Sequence, residues 1–532
     1  MPAHLELIVF GLLVAVAGFV LLSHVLRVPY PVFLVIGGLA VSLIPGLPAI
    51  ALPPDLVFLI FLPPLLYSAA FFSSPRDLKA QLRPIALLSI GLVLLTTVTV
   101  AVVGHTVVGL PWSVAFVLGV IVSPTDPVAV SATAERLGLP HRVVAILEGE
   151  SLVNDGTALT LYRTVVAAAV AGGFSILGAG VDFVLSSIGG VAIGLTMGWV
   201  ISRVRTWVED PRVESTIALF TGYAAYLPAE EVGASGVIAV AAAGLYLSWQ
   251  SPKMTAPVNR LQVFDVLDIM NFLLNSLLFI LVGLQLPVIF GSLSGESPVM
   301  LALYAMLVSL VVVGTRLAWT FPMSYLPRRL VRESGPFPPW QQVAFVSYAG
   351  MRGGVSLAAA LSIPLVTQSG APFPERDLVI FLTYGVILVT LVLQGMSLPF
   401  LVRRLGLDAD NEEEREESEA RLRVAEAVLE RIGELEGEGW VREDTAERMR
   451  ELYEYRRRRF AARHAGWLEN GEKDDPEVRF AAYQRFRQEL LNAERATLLR
   501  LRGEGRISDR VRRRVERDLD LEETRLGESE VP

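Results

Sequence analysis

The sequence predicts an all-α membrane protein with a helical soluble tail, and three observations predict it. Apolar residues are in excess, they are grouped into runs long enough to cross a bilayer, and basic residues keep to alternate loops. Of 532 residues, 52% are hydrophobic and only 19% charged, far from the usage of an average soluble domain. A helix crosses the hydrocarbon core with about 20 apolar residues, and by that measure about thirteen spans are expected. They fall at 5–25, 30–46, 55–73, 84–109, 112–136, 142–170, 176–202, 213–228, 233–250, 262–290, 298–324, 340–365 and 377–402.

The first run lacks a preceding cationic segment and a small-residue cleavage site, so it is expected to be retained as a span rather than removed as a signal peptide. Loops on the cytoplasmic side of a membrane are enriched in Lys and Arg. One set of alternate loops holds Arg27; Arg76, Lys79 and Arg83; Arg136 and Arg142; Arg203, Arg205 and Arg212; Lys253 and Arg260; Arg328, Arg329 and Arg332; and Arg403 and Arg404. The opposite set holds only Arg376. This separation predicts an odd number of spans, with the N-terminus outside and a cytoplasmic C-terminus, in the plasma (inner) membrane. Spans 5 and 12 are both interrupted, the fifth by Pro124 and Pro127, the twelfth by Gly350, Gly353 and Gly354 around Arg352. Taken as spans 1–6 and 8–13, the two halves form inverted six-helix repeats, each with its fifth helix broken near mid-membrane.

Residues 1–404 are therefore expected to form a transmembrane domain and 405–532 a cytoplasmic charged helical tail. The first part carries 20 Lys and Arg against 20 Asp and Glu, and the tail 26 against 34, so the net charge of −8 sits wholly in the tail. In the tail Leu422, Ala425, Leu429 and Ile432 recur at helical spacing, as does a run over 477–502, while 470–475 reads as a break. The expected form is a solvated helical hairpin or docking tail, open to a regulatory ligand or partner. No nucleic-acid partner is expected. With no cysteine, thiolate sites and disulfides are excluded. His4, His24, His105, His141 and His464 show no metal-ligand spacing.

Charged groups inside a bilayer are costly, so those present mark function. Most lie in SPTDPVAV (123–130), EGESLVNDGTAL (148–159) and YAGMRGGVSLA (348–358). The two prolines should unwind the chain around Thr125 and Asp126, and unwound backbone in a membrane must face protein or water. Its freed carbonyl oxygens suit a hard cation. Ser151 and Asp155 share a helical face, as do Glu150 and Asn154 one step round. Glu148 points the way of Asp155 but lies nearer the cytoplasmic end, where access or structure is an equal reading. Arg352 is always charged and needs an anion, for which Glu150 and Asp126 are the leading choices. Its expected role is architectural. Arg163 and Arg316 lie towards the ends of their spans, where a long side chain snorkels to the interface. Asp265 and Asp268, at the start of the tenth span, are expected to be solvated.

SPTDPVAV, GESLVND and MRGGVSLA, in that order on those spans, resemble the monovalent cation:proton antiporter-1 family, over nearly all of residues 1–404. The resemblance implies a homodimer in the lipid bilayer that exchanges Na+ (or Li+ or K+) for H+ by alternating access, with no cofactor beyond the transported ions. It implies that Asp155 is the ion-binding and proton-exchanging carboxylate and Asn154 its partner. Thr125, Asp126, Glu150 and Ser151 then line or support the site, and the cation's oxygen donors come from Asp155, Ser151, Glu150 and Thr125. Because Asn154 stands where a neighbouring branch has a second aspartate, the resemblance suggests one cation for one proton. Two other readings compete. Asp126 and Asp155 on adjacent spans raise an intramembrane aspartyl protease, whose GxGD signature is absent, so no enzyme is expected. A cation channel would show flux independent of a proton gradient.

Overall fold

The computed structural model describes residues 3–26, 28–44, 54–128, 130–131, 138–171, 176–254, 257–293, 297–331, 337–407, 411–437, 440–466, 476–504, 506 and 508–527. The chain divides into two compact units, 1–409 and 410–532.

In the first unit α1 (Ala3–Leu26), α2 (Tyr30–Ser42), α3 (Pro54–Phe72), the short α4 (Pro75–Ala80) and α5 (Leu82–Val108) follow in order. After them come α6 (Trp112–Ile121), α7 (His141–Ala171), α8 (Ile176–Arg205), α9 (Pro211–Glu231), α10 (Gly236–Met254), α11 (Pro257–Leu284) and α12 (Leu286–Ser292). The unit ends with α13 (Pro298–Val331), α14 (Trp340–Tyr348), α15 (Gly354–Leu361) and α16 (Arg376–Leu405). Among the described helices, five segments have the length and apolar composition to cross a membrane: Leu82–Val108, Gly180–Arg205, Asn259–Gly291, Pro298–Leu326 and Arg376–Leu405. Shorter apolar helices accompany them, as Tyr30–Ser42 and Trp112–Ile121 do.

The helices pack in two groups, α1–α3 with α8–α11, and α5–α7 with α13–α16, joined by contacts of α7 and α15 with the first group. Lipid supplies no hydrophobic drive between helices, so close approach depends on small residues. Gly38 of α2 and Gly283 of α11 lie backbone to backbone, since a Cβ on either would strike the carbonyl of Ile280 or Val35. Gly194 of α8 lies equally close to the Ala239 carbonyl of α10. Within the first group Arg205 and Glu214 form a buried ion pair at 2.9 Å, each 1% exposed.

The single exception to the charge pattern, Arg376, has a structural role. Arg376 donates to the carbonyls of Leu361 (2.8 Å) and Ile363 (2.9 Å), closing the C-terminal end of α15. A helix leaves its last carbonyls without partners, and Arg376 is placed to satisfy them. Of the other loop charges, Arg27, Arg136 and Arg332 lie outside the described residues.

In the second unit α17 (Asn411–Gly437) pairs with α18 (Glu443–Gly466), and α19 (Pro476–Gly503) with α20 (Asp509–Gly527). Ala425, 2% exposed, lies at the first seam, where Arg450 pairs with Glu436. Arg487–Glu522 and Arg495–Asp520, both 2.5 Å, link the second pair. The expected break at 470–475 lies outside the described residues.

Candidate ion site

α6 stops at Ile121, and residues 124–127 have no regular structure. Proline lacks the N–H that would continue the ladder. Across from it α14 stops at Tyr348 and α15 starts at Gly354, leaving 349–353 without regular structure. The two breaks meet. The Asp126 N–H donates to the Met351 carbonyl at 2.8 Å, and the Arg352 Nε donates to the Val122 carbonyl at 3.0 Å. Gly353 has no room for a Cβ, because the Asp126 carboxylate fills that space. The same carboxylate accepts from the Val128 N–H at 2.9 Å.

Thr125 is the hub of the polar cluster. Its hydroxyl donates to Glu150 Oε1 (3.1 Å) and accepts from Asn154 Nδ2 (2.8 Å), while its carbonyl accepts from the Ser151 hydroxyl (3.0 Å). Glu150 is held from behind by Arg316 of α13, whose Nη1 bonds Oε1 and whose Nη2 bonds Oε2 at 2.8 Å. Arg316 also donates to the Val346 carbonyl through Nε (3.2 Å) and Nη2 (2.9 Å). Both partners of the ion pair are 1% exposed. A two-pronged guanidinium–carboxylate pair with its remaining protons satisfied is the geometry in which burial of both charges is tolerated.

Three expectations are corrected. Arg352 does not pair with Glu150 or Asp126: among the described residues its side chain is held by carbonyls, Val122 and Gly350, which the helix breaks leave free. Its own N–H donates to Thr390 Oγ1 at 3.2 Å. Arg316 does not snorkel; it is buried and reaches from α13 to the Glu150 carboxylate of α7. Glu150 is therefore no free cation ligand, since Arg316 engages both of its oxygens and it does not line the cavity described next. The signal for Arg316 is present in the sequence: an arginine within an apolar run must find a buried partner.

A cavity of about 710 Å³ runs between the two helix groups to the crossing. Thr125, Asp126, Ser151 and Asp155 line its inner end, and Glu148, Asp265 and Asp268 its walls. Asp265 and Asp268 are exposed, as expected. Asp155 is 9% exposed and, among the described residues, has no hydrogen-bond or ion-pair partner, unlike Glu150 beside it. Asn154 stands behind the cavity wall, its Nδ2 fixing the Thr125 hydroxyl and its Oδ1 buried without a partner among the described residues. Arg163, half exposed, pairs with Glu230 of α9.

Broken, crossed helices in an apolar bundle, with a buried carboxylate lining a cavity between the helix groups, define a secondary transporter of small ions. The comparisons give the family. A model of the transmembrane sodium/hydrogen exchanger family matches residues 11–404, and the chain belongs to that family, which consists of cation/proton antiporters rather than enzymes. A protein of Mycobacterium tuberculosis described as an uncharacterized Na+/H+ exchanger is 36% identical over 535 residues, covering 98% of this chain and 97% of its own. A sodium, potassium, lithium and rubidium/H+ antiporter of Bacillus pumilus is 35% identical over 405 residues, 72% of this chain and 60% of its own. The sodium proton antiporter of Methanocaldococcus jannaschii has the same fold, with a TM-score of 0.59 at 19% identity, covering 76% of this chain and 98% of that one.

Proposed function

We propose that this antiporter exchanges Na+, or Li+ or K+, for H+ at Asp155 by alternating access, one cation for one proton and without net charge movement. The observation that carries the reading is the isolation of Asp155: it is the buried acid that faces the cavity with no partner among the described residues. A carboxylate so placed gains either a proton or a cation, and each neutralises it once. Ser151, Thr125 and the carbonyls of the unwound segment are the neighbouring oxygen donors. Glu150 and Arg316 support them from behind, and Asn154 orients Thr125. Arg352 holds the crossing together.

In this reading residues 1–404 form the membrane domain, with about thirteen spans in two inverted six-helix repeats, and 405–532 form the cytoplasmic tail. The cavity reaches Ser73 at the end of α3 and Asp265 of α11, next to the basic segments with Arg76, Lys79 and Arg260. By the distribution of positive charge, it opens to the cytoplasm. A homodimer is carried over from the family resemblance. The breadth of ions named for the Bacillus relative supports testing all alkali cations. The test is a vesicle assay in which an imposed pH gradient is dissipated by Na+, Li+ and K+ in turn; flux that ignores the proton gradient would instead make the chain a channel.

A further inference from the structure

Arg163 and Glu230 lie on different helix groups, Arg163 on α7, the helix that carries Asp155, and Glu230 at the end of α9. Their ion pair bridges those groups. The free oxygen of Glu230 does not dangle: Oε1 accepts the N–H of Gly236, the first residue of α10, at 3.0 Å. One turn before Arg163, the Thr160 hydroxyl donates to the Ser235 hydroxyl at 3.0 Å, again from α7 to the other group. Both of these side chains are buried. Gly156 then brings α7 against Ile238. Three successive turns of α7 thus seal against the end of α9 and the start of α10.

Position gives this seal its meaning. The cavity reaches Asp155 from the side of Glu148, which precedes it on α7. Arg163 follows Asp155 by eight residues, about 12 Å along the helix, so the seal closes the side opposite the cavity. We propose that the Arg163–Glu230 pair, backed by Thr160–Ser235, is a latch that keeps the outer access to Asp155 shut while the cytoplasmic cavity is open, and that it separates in each transport cycle. This rests on the alternating-access reading. The ion pair is partly solvated, 46% and 25% exposed, and pairs of that kind are weak. A latch that opens every turnover needs such a modest hold, whereas a fully buried pair such as Arg316–Glu150 would lock.

The chain has no cysteine, so a single Ile238→Cys substitution reports access to the sealed region by its reaction with a membrane-impermeant thiol reagent added outside. Arg163→Gln and Glu230→Gln are expected to raise that labelling rate roughly two- to five-fold. The exchanged pair, Arg163→Glu with Glu230→Arg, should bring it back towards the starting rate, which a merely disturbed fold would not do. Unchanged labelling in the single variants, or an exchanged pair as fast as the singles, would overturn the latch. A second arm joins Arg163→Cys and Glu230→Cys with a short thiol crosslinker, which must stop exchange; undiminished exchange after crosslinking overturns the latch even if the charge variants fold poorly. The vesicle assay on the unmodified chain judges antiport separately, because the labelling arm needs no transport.

Discussion

Asp155 differs from the acids around it in what it lacks. Glu150 is neutralised by Arg316, and Asp126 is held by the Val128 N–H against Gly353, whereas Asp155 lines the cavity with no hydrogen-bond or ion-pair partner among the described residues. Asp155→Asn should abolish exchange, because the amide keeps the shape but has no proton to release. Asp155→Glu should retain weak activity, and proton-coupled flux in liposomes distinguishes the two. Arg316→Ala leaves a buried carboxylate uncompensated, which costs about 3 to 5 kcal/mol; a large fall in melting temperature, together with loss of transport, is expected. At Gly353 an added methyl meets the Asp126 carboxylate, so Gly353→Ala should cost about 1 to 3 kcal/mol as overpacking. Its thermal unfolding measures that.

At the scale of elements, the crossing is held by backbone as much as by side chains. Arg352→Ala would free the Val122 and Gly350 carbonyls inside the membrane, so stability and transport should fall together; normal stability with no transport would give Arg352 a direct part in the ion cycle. The two breaks were legible in the sequence because proline and glycine state a backbone requirement locally. The clustering of Ser151, Asn154 and Asp155 was legible from helical spacing. The partner of Arg352 was not, because carbonyls freed by a helix break leave no mark on residue identity, and a carboxylate is the partner that composition suggests. Nor were the π-helical turns at Leu87–Leu92, Gly104–Val108 and Val389–Gln394. Such turns arise where packing opens the ladder, often at functional sites, and the third carries Thr390, which receives the Arg352 N–H. In the sequence Arg376 is an exception to the charge alternation, and its role as a closing group for α15 arises only when the fold brings it to the Leu361 and Ile363 carbonyls.

Across the whole molecule, the alternation of basic loops read from the sequence bears on which face the cavity opens to, while the tail, with the entire net charge of −8, folds as helical pairs of its own. In the proposed cycle Asp155 carries one positive charge at a time, Na+ or H+, so the loaded states are equal in charge. Exchange should therefore ignore an imposed membrane potential, and a clear voltage dependence would overturn the 1:1 stoichiometry while leaving the site in place. In the proposed cycle cation and proton compete for one carboxylate. The measurement that tests it most directly is the apparent cation affinity of the reconstituted protein as a function of pH. Acidification should weaken the apparent affinity while the maximal rate in saturating cation changes much less. An affinity that stays constant as the maximal rate falls with acidification would contradict it, because the proton and the cation would then occupy different groups.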